Sequence, residues 1–88
     1  MLTENTVLDL IEVRENGMIQ TRWRNEIHRD GELVTYTFHR QAFEPGADVS
    51  NEDPRIIAVA NAVWTSDIIQ RFNEYKASLM SPEGLNNG

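Results

Sequence analysis

IEVRENGMIQTRWRNEI, residues 11–27, places an Asn-Gly pair between two runs that alternate apolar with polar residues. Such alternation predicts two β-strands joined by a hairpin turn. A two-residue turn would set Val13 opposite Gln20 and mix apolar with charged residues on each face. A three-residue loop, with Gly17 in the left-handed position, sets Val13 opposite Ile19 and aligns the apolar residues. Because a one-residue slip moves every side chain to the other face, burial should select the second register.

A second hairpin is predicted at Asp30-Gly31, a dipeptide that favours a two-residue turn. In the simple register of this turn, Trp23 lies opposite Phe38 and the two rings share one face. That face is predicted to be apolar and to carry Ile11, Val13, Ile19, Trp23, Ile27, Val34, Tyr36 and Phe38. The other is predicted to be polar and to carry Arg22, Arg24, Glu26, His28, Thr35, Thr37, His39 and Gln41. One buried and one hydrated face is typical of an antiparallel sheet.

The alternation stops after Phe43, and two helices are predicted downstream. Asp53 is suited to cap the first helix and Thr65 the second. Apolar positions of the second helix repeat at helical spacing, at Ile68, Phe72, Tyr75 and Leu79. The sequence therefore predicts an α+β fold, a three-stranded antiparallel β-meander followed by two α-helices packed on one sheet face (β-β-β-α-α). We expect residues 1–80 to form a single α+β domain and residues 81–88 a flexible C-terminal tail.

Composition restricts the possible partners of this chain of 88 residues. Its formal net charge of −6 repels nucleic acid and anionic lipid, so nucleic acid is disfavoured as a partner. No stretch reaches the roughly 18 apolar residues of a transmembrane helix, and the N-terminus lacks the features of a signal peptide. We therefore expect no membrane partner and no export. The chain has no cysteine, which excludes disulfides and thiolate metal sites.

The residue types that carry catalysis or bind metals do not form a recognisable site. His28 and His39 are predicted to lie roughly 20 Å apart, too far to share an ion within one chain. Asp48, Glu52 and Asp53 lack the regular acidic spacing and central glycine of a calcium-binding loop. There is no nucleophile motif and no phosphate-binding glycine loop. We expect no enzyme activity, no cofactor and no metal.

Five residues are candidates for a protein interface: Leu8, Leu10, Arg22, Arg24 and Trp64. In the predicted register the two leucines fall on the polar face, beside the two arginines. Either the first strand is irregular there and both leucines turn inward, or they form an exposed apolar patch that contacts a partner or a second copy. Trp64 either fills the corner between the helices or anchors a partner.

RNA binding is a further alternative, because five of the eight Lys and Arg residues lie in the sheet segment: Arg14, Arg22, Arg24, Arg29 and Arg40. RNA-binding sheets combine such cations with exposed aromatic rings on which bases stack. Trp23, Tyr36 and Phe38 are predicted to lie on the opposite face, and Glu26 interrupts the basic one. The pattern therefore favours a hydrated face, or a polar protein interface that is rich in arginine.

Several short motifs occur across residues 7–76: Glu15-Asn16-Gly17, Asp30-Gly31, Thr37-Phe38-His39-Arg40, Pro45-Gly46, Glu52-Asp53-Pro54 and Val63-Trp64-Thr65. In these motifs the chain resembles a family of small tailed-bacteriophage proteins, whose genes tend to lie among virion structural genes, often in the tail and tail-fibre region. The resemblance implies no catalytic residue. It implies a virion protein that is made in the host cytoplasm. Its partners would be other virion proteins, or further copies of itself in a homo-oligomer.

The function that this resemblance implies is that of a minor structural protein of a tailed-phage virion. Such a protein would be a component of the tail or baseplate region, acting in several copies as an adaptor. The alternative is a small phage regulatory protein that binds a host protein or nucleic acid.

Overall fold

The computed structural model describes residues 1–80 of the chain. It contains five elements: β1 (Leu2–Val13), β2 (Ile19–Arg29), β3 (Glu32–Phe43), α1 (Pro54–Val63) and α2 (Ser66–Met80). The strands form one antiparallel sheet in the order β1-β2-β3. The α+β class and the predicted order of three meandering strands followed by two helices are thereby confirmed. The predicted tail at residues 81–88 lies outside the described residues.

The chain divides into two compact units. The sheet unit consists of Met1–Arg14 and Met18–Phe43, and the helical unit consists of Glu15–Gly17 and the described residues from Glu44 onward. The loop of the first hairpin therefore belongs to the same unit as the helices, although it connects two strands of the sheet. Neither helix in residues 1–80 is long and apolar enough to cross a membrane.

The first hairpin has the register that the three-residue loop predicts. Val13 pairs with Ile19, and the backbone N–H of Arg14 donates to the carbonyl of Met18 at 2.8 Å. Gly17 has a φ of +95°, a conformation that glycine adopts without the steric cost of a Cβ atom. The alignment of apolar residues thus selected the correct pairing at this end of the sheet.

A β-bulge interrupts β1 at Asp9, which has no partner on β2. On one side of the bulge Leu10 pairs with Arg22, and on the other side Leu8 pairs with Trp23. Because directly opposed residues share a face, the two leucines point to opposite faces. Leu8 is buried, whereas Leu10 is 38% exposed. Neither of the two alternatives holds for both leucines: β1 is irregular and buries Leu8, whereas Leu10 stays partly exposed.

The predicted register of the second hairpin is wrong. Trp23 pairs with His39, and Phe38 pairs with Arg24. The cause is a second bulge: β3 has one unpaired residue, Val34, close to the turn. One extra residue moves every later side chain of β3 to the face opposite the predicted one.

The two faces of the sheet consequently differ in composition from the prediction. The face that we call the arginine face carries Leu10, Arg22, Arg24, Glu26, His28, Leu33, Tyr36, Phe38 and Arg40. The face that we call the tryptophan face carries Leu8, Ile19, Thr21, Trp23, Ile27, Thr35, Thr37, His39 and Gln41. On the tryptophan face the indole N–H of Trp23 donates to Oε1 of Gln41 at 3.0 Å. The polar residues predicted to lie beside Arg22 therefore surround Trp23 instead.

Both helices begin where the sequence predicts. Oδ1 of Asp53 accepts a hydrogen bond from the backbone N–H of Arg55 at 2.8 Å, with Pro54 at the first helical position. Oγ1 of Thr65 accepts from the backbone N–H of Ile68 at 3.2 Å. Among the described residues, the helical unit buries the side chains of Val49, Ile56, Ala60 and Phe72.

Candidate protein interface

The bulge residue Asp9 lies at the centre of a group of charges on the arginine face. Its Oδ2 accepts a hydrogen bond from Nε of Arg22 at 2.5 Å, and its Oδ1 accepts one from Nη1 of Arg24 at 2.9 Å. A bulge redirects a side chain out of the regular alternation, and here one carboxylate reaches two cations of the neighbouring strand. Asp9 thus neutralises part of the positive charge that the sequence places on this face.

The group extends along β2 through Glu26 to His28. Nε of Arg24 donates to Oε2 of Glu26 at 2.6 Å, and Nε2 of His28 lies 2.9 Å from Oε1 of the same carboxylate. We call Asp9, Arg22, Arg24, Glu26 and His28 the charged cluster. Their side chains retain only 14–30% of their exposure, so each pair is partly shielded from water.

These contacts change the acid–base properties of the cluster. The hydrogen bond from His28 lowers the pKa of Glu26 below its usual value, and the hydrogen bond from Arg24 lowers it further. The hydrogen bond to Glu26 is also the main reason that the pKa of Arg24 is raised. Both shifts favour the charged forms and therefore keep the cluster assembled at neutral pH.

We expect acid to remove the contribution of Glu26 to stability. Its pKa in the folded chain lies below the ordinary value of 4.5, so that contribution is complete above about pH 4.5 and is lost as the pH falls through the lowered pKa. The melting temperature of Glu26→Gln should therefore be lower than that of the wild type near neutral pH, and the difference should shrink on acidification. Glu12→Gln, which removes an exposed ion pair with Arg14, is the control and should differ little at any pH. A difference for Glu26→Gln that stays constant on acidification would contradict this expectation.

Two aromatic rings of β3 adjoin the charged cluster. The rings of Tyr36 and Phe38 meet edge to face with centroids 5.4 Å apart, and the guanidinium of Arg22 lies 4.4 Å from the centroid of Phe38. Arg22 is thus held by a carboxylate and by an aromatic face at the same time. The arrangement fixes a side chain that would otherwise be flexible.

A shallow, open depression of about 280 Å³ lies on the arginine face. It is lined on one side by Asp9, Arg22, Arg24 and Glu26, and on the other by Leu33, Tyr36 and Phe38. The charges along it are paired with one another, and the remaining lining is apolar or aromatic. Aromatic residues and arginine are the types that are enriched at protein–protein contacts.

Strand β3 adds an exposed apolar surface to this face. Every residue from Glu32 to Arg40 is exposed. The exposed fractions of Leu33, Val34, Tyr36 and Phe38 lie between 47 and 55%. Four large apolar side chains in six consecutive positions form a patch of the kind that marks an interaction site.

The predicted interface residues fall in different places. Leu10, Arg22 and Arg24 lie together on the arginine face, as their pairing predicts. Leu8 is buried on the opposite face and is separated from them by the bulge. Trp64 belongs to the helical unit.

Trp64 makes a specific contact within the helical unit. It is half-buried, and its indole N–H donates to the carbonyl oxygen of Gly17 at 2.7 Å. Its backbone N–H also closes the end of α1 on the carbonyl of Ala60. The side chain therefore connects the end of α1 to the loop of the first hairpin.

Most residues of the site were not predicted from the sequence as interface residues: Asp9, Glu26, His28, Leu33, Val34, Tyr36 and Phe38. Asp9 has a visible signal, because it interrupts an apolar run in the segment VLDLI and so breaks the alternation of β1. Tyr36 and Phe38 were assigned to the buried face because the bulge at Val34 was not recognised. Within residues 1–80, no three His, Asp or Glu side chains come together in a group that could hold a metal ion.

Comparison with known proteins adds nothing to this geometry: no family model, no curated protein and no solved structure matches the chain. The fold and the site define a small acidic α+β protein with an exposed aromatic strand beside a neutralised cluster of charges.

Proposed function

We propose that this chain is a protein–protein interaction module, and specifically a minor structural protein of a tailed-phage virion. It would act in several copies as an adaptor in the tail or baseplate region. The single observation that carries the proposal is the apolar patch of β3, in which Leu33, Val34, Tyr36 and Phe38 are about half exposed. Covering such a patch with a partner removes apolar surface from water and stabilises the complex.

The charged cluster supports a role in contact with another protein. Arg22 is fixed by Asp9 and by the ring of Phe38 before any partner arrives. A side chain that is already ordered loses less conformational entropy on binding, so more of the contact energy contributes to affinity. The paired charges would also disfavour partners that offer only one sign of charge at this surface.

The virion context rests on the motifs that resemble those of small tailed-phage proteins. Under this proposal the chain is made in the host cytoplasm and enters the particle by binding other virion proteins or further copies of itself. The patch on β3 is the surface that we assign to those contacts.

Mass spectrometry of washed phage particles tests the proposal. We expect the wild-type chain to be present in several copies, and Phe38→Ser to be depleted from particles although it remains folded. Tyr75→Ser, which changes an aromatic side chain of α2 with 57% exposure, is the matched control and should be retained. Absence of the wild-type chain from washed particles would overturn the virion assignment.

A second candidate function is that of a regulatory protein that binds nucleic acid or a host protein. The corrected register favours it in one respect, because Tyr36 and Phe38 share a face with Arg22 and Arg24. Asp9 and Glu26 oppose it, since they neutralise these arginines, and so does the net charge of −6. Binding to single-stranded RNA that weakens steeply with added salt would support this second function.

A further inference from the structure

We infer that the outer edge of β3 pairs with the same edge of a second copy of this chain. Two three-stranded sheets would then join into one six-stranded antiparallel sheet. The inference rests on the proposed function, in which β3 is the contact surface. It identifies the partner at this surface as a second copy of the chain.

The two edges of the sheet are not equally open to pairing. Within residues 1–80, both β1 and β3 have one side without a neighbouring strand. β1 carries three carboxylates, at Glu4, Asp9 and Glu12, no cation, and a bulge in its middle. Charges and bulges are the features by which proteins block an edge strand. β1 is therefore a protected edge.

β3 has fewer of these features. It contains neither proline nor lysine, and its single bulge lies at one end, at Val34. From Thr35 to Phe43 it is a regular strand whose only Lys or Arg is Arg40. The regular part of β3 is thus an unprotected edge with unpaired backbone donors and acceptors.

The sequence of β3 is complementary to itself about Thr37. In an antiparallel pair with a two-fold axis at this residue, Thr37 lies opposite Thr37 of the second copy. Tyr36 of each copy then lies opposite Phe38 of the other, which joins four aromatic rings on the arginine face. Thr35 lies opposite His39 on the tryptophan face. Aromatic pairs across strands are stabilising, and this register places no like charges directly opposite each other.

The pairing closes on itself. Contact between the same edge of two copies is isologous and stops at a dimer, whereas contact between β1 and β3 would continue into an open chain. The bulge at Asp9 interrupts β1 and disfavours the second arrangement. Because a few opposed pairs bury less area than a standard interface, we expect a dissociation constant that is roughly micromolar.

Single cysteines test the pairing directly, since the chain has none of its own. Thr6 and Thr37 both pair with Asn25, from its two sides, and both are exposed. They therefore occupy equivalent positions on the two edges of the sheet. Oxidation should convert Thr37→Cys rapidly into a disulfide-linked dimer, because directly opposed Cβ atoms in a sheet lie within or close to disulfide reach. Thr6→Cys should cross-link no faster than random collision allows.

Lysine substitutions at the same two positions provide a second test. Sedimentation velocity over a range of concentrations measures the oligomeric state of each variant. Thr37→Lys places two cations opposite each other and should leave a monomer, whereas Thr6→Lys should associate like the wild type. Circular dichroism checks that each variant is folded. Equal cross-linking of the two cysteine variants, a wild type that is monomeric throughout, or open-ended polymers would overturn the inference.

The outcomes also separate this inference from the proposed function. A chain that is monomeric in solution but present in virions would refute the pairing of β3 and keep the virion assignment. A chain that forms the β3 dimer but is absent from virions would keep the pairing of β3 and refute the virion assignment.

Discussion

Gly17→Ala is expected to lower the free energy of unfolding by about 2–4 kcal/mol, the sum of a strained backbone and an overpacked contact. Gly17 has a φ of +95°, where a side chain is sterically disfavoured. A Cβ atom built there would lie 2.6 Å from Cγ2 of Ile68 and 3.1 Å from Cγ of Pro45. The loop and the residues that pack on it would have to move apart.

Gly31→Ala separates the two causes. Gly31 has a φ of +88°, but a Cβ atom there would have no neighbour within 4 Å. Gly31→Ala should therefore lower the free energy of unfolding only through backbone strain, by about 1–2 kcal/mol. Urea denaturation of both variants measures the difference. Equal losses for the two variants would show that the close approach to Ile68 and Pro45 contributes nothing to stability.

Ile19→Ala is expected to lower the free energy of unfolding by about 2–5 kcal/mol, the usual cost of truncating a buried isoleucine. The side chain of Ile19 is completely buried at the start of the central strand β2. Truncation of this side chain leaves a cavity in a closely packed region, and the surrounding atoms fill that cavity only in part.

Val13→Ala is the matched control, because Val13 pairs directly with Ile19 but is 46% exposed. It should cost about 1 kcal/mol or less. Thermal and urea unfolding of the two variants give the comparison. A loss for Val13→Ala as large as that for Ile19→Ala would contradict the burial of one residue and the exposure of the other.

Local sequence rules predicted the parts of the fold that depend on neighbouring residues. The alternation of apolar residues and the position of Gly17 determined the first hairpin, and both helix caps, Asp53 and Thr65, were recognised by their side-chain chemistry. In each case a residue acts on backbone groups within a few positions of itself. Such local interactions can therefore be read from the sequence, and they are the ones found in the folded chain.

The bulge at Val34 could not be predicted in the same way. The dipeptide Asp30-Gly31 forms the expected turn, with Arg29 paired with Glu32, and the unpaired Val34 follows two residues later. A bulge is selected by twist and by packing across the whole sheet, which a local pattern does not contain. One bulge at Val34 was enough to invert the assignment of Tyr36 and Phe38.

The candidate site was predicted in part for the same reason. Leu10, Arg22 and Arg24 were placed together correctly because they depend on the first hairpin. The prediction that Trp23 and Phe38 share a buried face was wrong. The argument that the aromatic residues and the arginines lie on opposite faces was therefore wrong as well. The charges of Asp9 and Glu26 now provide the argument against nucleic acid in place of that separation.

The candidate interface depends on the register of β2 and β3, and nuclear Overhauser effects between backbone protons of the two strands measure that register directly. We predict contacts between Arg24 and Phe38 and between Trp23 and His39. Contacts that connect Trp23 with Phe38 instead would place the two aromatic rings of β3 on the tryptophan face. That result would contradict the assignment of the arginine face as the surface that binds a partner.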